Sequence, residues 1–138
     1  MIILDTNVLS AVMRREPEPL VVRWLNDQPS ESVWITAITV YEVRFGIQLL
    51  PSGKKRMSLL ELFQTFLEEI DHRIAAFDAA SGEQAANLMA RRQKSGRVIG
   101  LRDTMIASIA LARRATLATR NMTHFSHAGI SVVNPWAK

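Results

Sequence analysis

The sequence predicts an α/β fold, a single domain over residues 1–138 with a central parallel β-sheet flanked by helices on both faces. Three observations predict it. Five short apolar, β-branched runs recur, at Ile2 to Leu4, Val33 to Thr36, Ile74 to Phe77, Thr116 to Thr119 and Ile130 to Val133, each suited to a buried strand. Helical patterns lie between them, and strands alternating with helices imply parallel strands joined by crossovers. The third is size: 138 residues, 48% of them apolar, suit one domain with a sizeable core and exclude a disordered linker.

Taken in order, the first run ends at Asp5, where a buried strand gives way to a turn and a helix. The second run, Val33 to Thr36, leads into a helix that carries Glu42 in its first turn. The clearest helix covers 58–70, where Leu59, Leu62, Phe63, Phe66, Leu67 and Ile70 recur at three- and four-residue steps and form one apolar stripe. Such a stripe is core first and a subunit interface second. After the third run, residues 79–95 read as a helix capped at its C-terminal end by Gly96, and 104–114 as a helix rich in Ala and Ile. The Pro- and Gly-containing interruptions, EPEP at 16–19 and PSGKK at 51–55, are too short for linkers, and there is no internal repeat.

Composition narrows the chemistry. The absence of cysteine removes disulfides, thiol nucleophiles, iron–sulfur clusters and thiolate zinc sites, so any metal must be held by oxygen or histidine. The N-terminal MIILDTNVLS lacks the basic and long apolar regions of a signal peptide, and no apolar run approaches the roughly 18 residues of a membrane span. The chain therefore reads as soluble and cytoplasmic, with no membrane partner. Its net charge is +4, mild for a nucleic-acid binder, but Arg91, Arg92, Lys94, Arg97 and Arg102 cluster with no acid until Asp103. That cluster is a candidate for meeting phosphates, against the plain reading of solvated helix faces.

The acids at strand ends carry the most information. Asp5 suits a helix cap, and Thr39-Val40-Tyr41-Glu42 has capping-box spacing, in which the glutamate reaches back to the cap residue's own N–H. Asp103 stands where the 104–114 helix begins, favoured there by the helix dipole, and Asp78 occupies a comparable junction. As a set they say more, because a parallel sheet brings its strand-to-helix junctions to one edge, where ligands gather. Clustered carboxylates repel, and the usual compensation is a divalent cation such as Mg²⁺ or Mn²⁺, one or two of which serve phosphodiester hydrolysis. Spacing alone leaves Asp78 and Asp103 as alternatives for the third ligand, since strand order is not visible.

Other chemistry is thin. His72 lies in a charged stretch, and His124 and His127 read as loop-surface residues more readily than as metal ligands. The six glycines form no phosphate-binding loop, no Gly-x-Ser-x-Gly elbow is present, and Trp24, Trp34 and Trp136 read as packing residues.

Four segments together resemble a known family: Ile3-Leu4-Asp5-Thr6-Asn7-Val8-Leu9, Thr39 to Gly46, Leu101-Arg102-Asp103-Thr104-Met105-Ile106-Ala107, and Leu117-Ala118-Thr119-Arg120-Asn121 with Val133-Asn134-Pro135-Trp136. The chain resembles PIN-domain proteins of the VapC and FitB type, the toxins of type II toxin–antitoxin pairs, over nearly its whole length. The resemblance implies that Asp5, Glu42 and Asp103 hold the metal, in preference to Asp78, and that Asn121 orients a water or contacts substrate. Thr6 and the cluster Arg91, Arg92, Lys94, Arg97 and Arg102 are the substrate-binding candidates. Many relatives carry aspartate where this chain has His124, a departure that weakens a second metal site. It implies further a Mg²⁺-dependent endoribonuclease that is a homodimer, is blocked by a small antitoxin, and meets operator DNA through that antitoxin. The alternative is a non-catalytic partner that binds an antitoxin and strengthens its hold on operator DNA.

Overall fold

In the computed structural model, which describes residues 1–97, 99–125 and 128–137, all five expected strands form and pair in one sheet. They are β1 (Ile2–Leu4), β2 (Val33–Thr36), β3 (Ile74–Ala75), β4 (Thr116–Ala118) and β5 (Ser131–Val133). The order is β3-β2-β1-β4-β5 and every pairing is parallel, with Ile2 opposite Val33 on one side and opposite Thr116 on the other. The third strand is shorter than its apolar run because only Ile35 and Thr36 are there to pair with it; Phe77 lies beyond the strand and is exposed.

The period-two alternation of the strands feeds two cores. Leu4, Val33 and Ile35 point into one, with α1 (Thr6–Val12), α2 (Pro19–Asn26), α3 (Ala37–Gln48) and α4 (Lys54–Glu69) supplying Val8, Leu9, Val21, Ile47 and Phe63. Ile3, Ala75 and Leu117 point into the other, covered by α5 (Ala79–Lys94), α6 (Leu101–Arg113) and α7 (Met122–Phe125) through Leu88, Ile106, Ile109 and Phe125. Each fully buried aliphatic or aromatic side chain contributes about 1.5–3 kcal/mol, so both helical layers are firmly held to the sheet. On α4 the stripe is narrower than its spacing suggests: Phe63, Phe66, Leu67 and Ile70 are buried, while Leu62 remains 46% exposed.

Two helix ends matter for the site. Gly96 follows α5 with φ +74°, the left-handed conformation its capping role requires. The sixth helix starts at Leu101, three residues before the sequence pattern, which places Asp103 inside its first turn.

Candidate active site

The chain steps outward from β1 to β2 and β3, then returns to place β4 on the other side of β1. The crevice beyond the carboxyl ends of β1 and β4 is therefore the topological switch point, where an open α/β sheet binds its ligands. Asp5 follows β1 directly and is only 3% exposed. Its Oδ1 accepts the Thr6 N–H (2.8 Å), and its Oδ2 accepts the Thr119 hydroxyl (2.7 Å) and the Asn7 side-chain amide (3.1 Å). Burial pushes the Asp5 carboxyl above its ordinary pKa; the Thr119 and Thr6 hydrogen bonds act against that shift, and the charges of Asp103 and Glu42 add to it.

Glu42 does not close a capping box. The cap of α3 is Thr36, whose hydroxyl accepts the Thr39 N–H at 3.1 Å, so the helix begins three residues before the spacing suggested and Glu42 falls beyond its first turn. The freed carboxylate turns to the cleft, where Oε1 accepts the Thr6 hydroxyl at 2.7 Å. Thr6 in turn lies 2.9 Å from the buried Thr39 hydroxyl, and Thr36 donates to Thr39 at 3.4 Å. With the Thr6 proton directed at Glu42, Thr39 donates to Thr6, and three hydroxyls run in one direction towards the acid. Thr6 lines the cleft, but its hydroxyl is committed to Glu42.

Asp103 completes the trio: together with Asp5, Glu42, Asn7, Ser10 and Asn121 it lines a cleft of about 460 Å³. Its Oδ2 lies 3.4 Å from His124 Nδ1, and the Arg102 Nε lies 3.7 Å from Glu42 Oε2. Asn121 is tethered by its backbone N–H to the Thr119 hydroxyl at 3.0 Å. Asp78 is elsewhere. It follows β3, an edge strand of the sheet, and caps α5 by accepting the Ser81 N–H and hydroxyl, contacts that hold its pKa below the ordinary value.

The basic cluster divides. Arg92 is buried, against the expectation that it meets phosphate: its guanidinium donates to Thr104 Oγ1 (2.7 Å) and to the His124 carbonyl (3.0 Å), binding α5 to α6 and α7. Burial lowers its pKa, while the charge of Asp103 supports the cation. Arg91, Arg97 and Ser95 line a separate depression at the end of α5, and Lys94 is exposed on the same helix. The arginines that line the acidic cleft are Arg14 and Arg120, neither of which the sequence reading assigned to the site; beside them stands Trp136, read as a packing residue, which packs against the core and lines the cleft as well. Arg120 and Trp136 follow β4 and β5 closely, so the rule of strand carboxyl ends was a signal for both. His127 lies outside the described residues.

The donor set suits a hard divalent cation. It is all oxygen, it comes from three elements facing one cleft, and Asp5 is disfavoured as an anion by burial and by its two acidic neighbours, a cost that a cation offsets. Among the described residues, no three acidic or imidazole side chains are already gathered into a metal cage. In this arrangement Glu42 faces Arg102 and Asp103 faces His124.

The PIN domain family model matches residues 2–130, and the chain belongs to that family. Within it, the chain is of the VapC and FitB type. It is 40% identical to the "VapC ribonuclease Y4jK" of Sinorhizobium fredii, over 99% of this chain and 98% of the relative, and 39% identical to "Toxin FitB" of Neisseria gonorrhoeae, over 99% of each. The fold matches the structure described as "FitAB bound to IR36 DNA fragment" with a TM-score of 0.92 at 38% identity, covering 100% of this chain and 97% of the other.

Proposed function

We propose that this protein is the toxin of a type II toxin–antitoxin pair, a Mg²⁺-dependent endoribonuclease that hydrolyses RNA phosphodiester bonds in the cytoplasm and is neutralised by a cognate antitoxin. The observation that carries this reading is the convergence of Asp5, Glu42 and Asp103 on the cleft at the switch point. Relatives named as ribonuclease and toxin over nearly their full length support it. Asp5, Glu42 and Asp103 would hold Mg²⁺, or Mn²⁺, which when bound supplies positive charge for phosphoryl oxygens and lowers the pKa of water. The chain's own part is orientation: Thr119, Asn7 and the Thr6 N–H fix both oxygens of Asp5, and the hydroxyl chain aims Glu42. Asn121, pinned through Thr119, offers its side-chain amide to water or substrate. Arg102 stands at Glu42 and is released to an RNA phosphate when the acid turns inward.

The test is cleavage of total cellular RNA by the antitoxin-free protein with Mg²⁺ or Mn²⁺, beside Asp103→Asn. Discrete fragments that need the native residue and vanish with chelator are expected. Two equally inert preparations would sink the catalytic reading. A second reading follows from the DNA-bound FitAB neighbour: a homodimeric partner that acts by strengthening its antitoxin's grip on operator DNA. It predicts operator binding by the complex that survives Asp103→Asn, with no effect of that change on growth.

A further inference from the structure

The acidic cleft poses an electrostatic problem for a substrate that is itself a polyanion, because three carboxylates repel the phosphates they are meant to meet. Cations on the cleft wall must offset that repulsion. Arg102 is opposed by Glu42 and Arg92 is buried in its own hydrogen bonds, so neither charge is free in this arrangement. Arg120 differs. It lines the cleft, it is exposed, and among the described residues no carboxylate lies within ion-pair distance of it. Its guanidinium carbon stands 4.9 Å from the centre of the Trp136 ring, and Trp136 lines the same cleft while packing partly against the core.

The contact with the ring leaves guanidinium N–H groups unspent, and the N–H fork of an arginine matches two oxygens of a phosphate. The backbone around it is fixed relative to Asp5. Asn7 donates to Asp5 and accepts the Arg120 N–H at 3.5 Å, and Thr119 and Asn121 on either side are joined through the Thr119 hydroxyl that also donates to Asp5. The backbone at Trp136 is set by its own turn, its main-chain N–H donating to Asn134 Oδ1 at 2.9 Å. We propose that Arg120, held over the ring of Trp136, forms a phosphate-binding site on the wall of the acidic cleft and grips the backbone of an RNA strand there. Arg120 touches the substrate and Trp136 positions it. The proposal rests on the reading of this protein as a ribonuclease.

The experiment measures binding of a fluorescein-labelled single-stranded RNA oligonucleotide to the purified chain in chelator, over a range of salt, together with cleavage of the same RNA in Mg²⁺ or Mn²⁺. Arg120→Ala is expected to weaken binding about tenfold and to reduce the slope of log K against log salt by about 0.7, the contribution of one phosphate contact to a single strand. Arg120→Lys keeps the slope but not the full affinity, since an ammonium does not stack flat or bind two oxygens together. Trp136→Leu is expected to weaken binding roughly 2–5-fold, the scale of a partly exposed cation–π contact, without changing the slope. Trp136→Phe restores most of that loss, which guards against a mere folding defect, and Arg120→Ala/Trp136→Leu binds no more weakly than Arg120→Ala. In cleavage, these changes raise KM and leave kcat near the native value.

Native affinity and slope in Arg120→Ala would overturn the proposal, as would independent, multiplying effects of the two residues or a native chain that does not bind the oligonucleotide. The two readings separate cleanly. Cleavage without an Arg120 effect on binding removes this site and leaves the nuclease; an Arg120 effect on binding without any cleavage removes the nuclease and leaves the site.

Discussion

Thr6→Val tests whether the hydroxyl chain sets the orientation of Glu42. Valine keeps the shape of threonine and deletes the single atom that both donates to Glu42 Oε1 at 2.7 Å and faces Thr39 Oγ1 at 2.9 Å. Two groups lose a partner. Glu42 is partly exposed, with its side chain at 21%, so water replaces much of the lost bond, and the cost there is well under the roughly 1.5–3 kcal/mol of a buried bond to a charged group. The Thr39 hydroxyl is fully buried and has no water to turn to, so its lost acceptor costs about 1–3 kcal/mol. Urea denaturation should therefore show Thr6→Val less stable by about 2 kcal/mol. Thr6→Ser, which keeps the oxygen, should recover most of it. On function, loss of a group that orients a ligand lowers metal affinity about 10–100-fold, so Mn²⁺ binding followed by calorimetry should weaken on that scale in Thr6→Val and not in Thr6→Ser. Thr39→Val separates the two effects: Thr6 still donates to Glu42, so metal affinity should stay close to native. Native stability and native Mn²⁺ affinity in Thr6→Val, or an equal loss in Thr6→Ser, would refute the reasoning.

Three further outcomes are expected. Arg92→Lys, which has no fork to span Thr104 and the His124 carbonyl, should cost about 2 kcal/mol in urea denaturation, and hydrogen exchange should rise at α7 before it rises at α5. Gly96→Ala should cost about 1 kcal/mol, read from the thermal midpoint, because a Cβ there is strained by φ +74° although no neighbouring atom blocks it. The third concerns pH. Burial raises the folded-state pKa of Asp5 above the ordinary aspartate value of 3.8, so its contribution to stability is fully present below that value and is lost as pH rises through the folded pKa. In chelator, the native protein should therefore lose stability relative to Asp5→Asn as pH rises through that window, and parallel denaturation series at several pH values would expose a flat difference if burial were not the cause.

How much was legible depends on which physical signal each element carried. The five strands were readable because each is a short apolar run bounded by polar residues, and Phe77 misled only because its run continued past the length of its partner strand. Asp5 was readable by position alone. Glu42 was ambiguous in the sequence, because Thr39 and Glu42 have the spacing of a capping box while Thr36, three residues earlier, is an equally good cap; packing of Thr36 and Thr39 into the interior decides between them. Asp78 and Asp103 could not be separated from the sequence: strand order puts Asp78 at the outer edge beyond β3, whereas Asp103 follows α5 rather than a strand and reaches the cleft through the packing of α6 on the sheet. The basic cluster was read by charge density along the chain, which is blind to direction: Arg92 points inward, whereas isolated Arg120 reaches the cleft because it follows β4.

The placement of Asp5 explains why this cleft is built from so many small hydrogen bonds. A carboxylate this deeply buried is disfavoured as an anion, and two further acids beside it make the charged state costlier still. Thr119, Asn7 and the Thr6 N–H do not remove that cost, since the pKa remains raised; they determine where the oxygens point. Geometry is thus retained at the expense of stability, the pattern expected of a site that awaits an oppositely charged ligand. The same Thr119 hydroxyl accepts from Asn121, and Asn7 accepts from Arg120, so the segment after β4 is aligned on the acid after β1. A change at Thr119 should then do more than loosen Asp5. Thr119→Val should weaken Mn²⁺ binding through Asp5 and RNA binding through Arg120 together, whereas Arg120→Ala should weaken only the RNA. Measuring both affinities on both variants decides the matter, and a Thr119→Val protein that loses metal affinity with native RNA affinity in chelator would show that the two sides of the crevice are positioned independently.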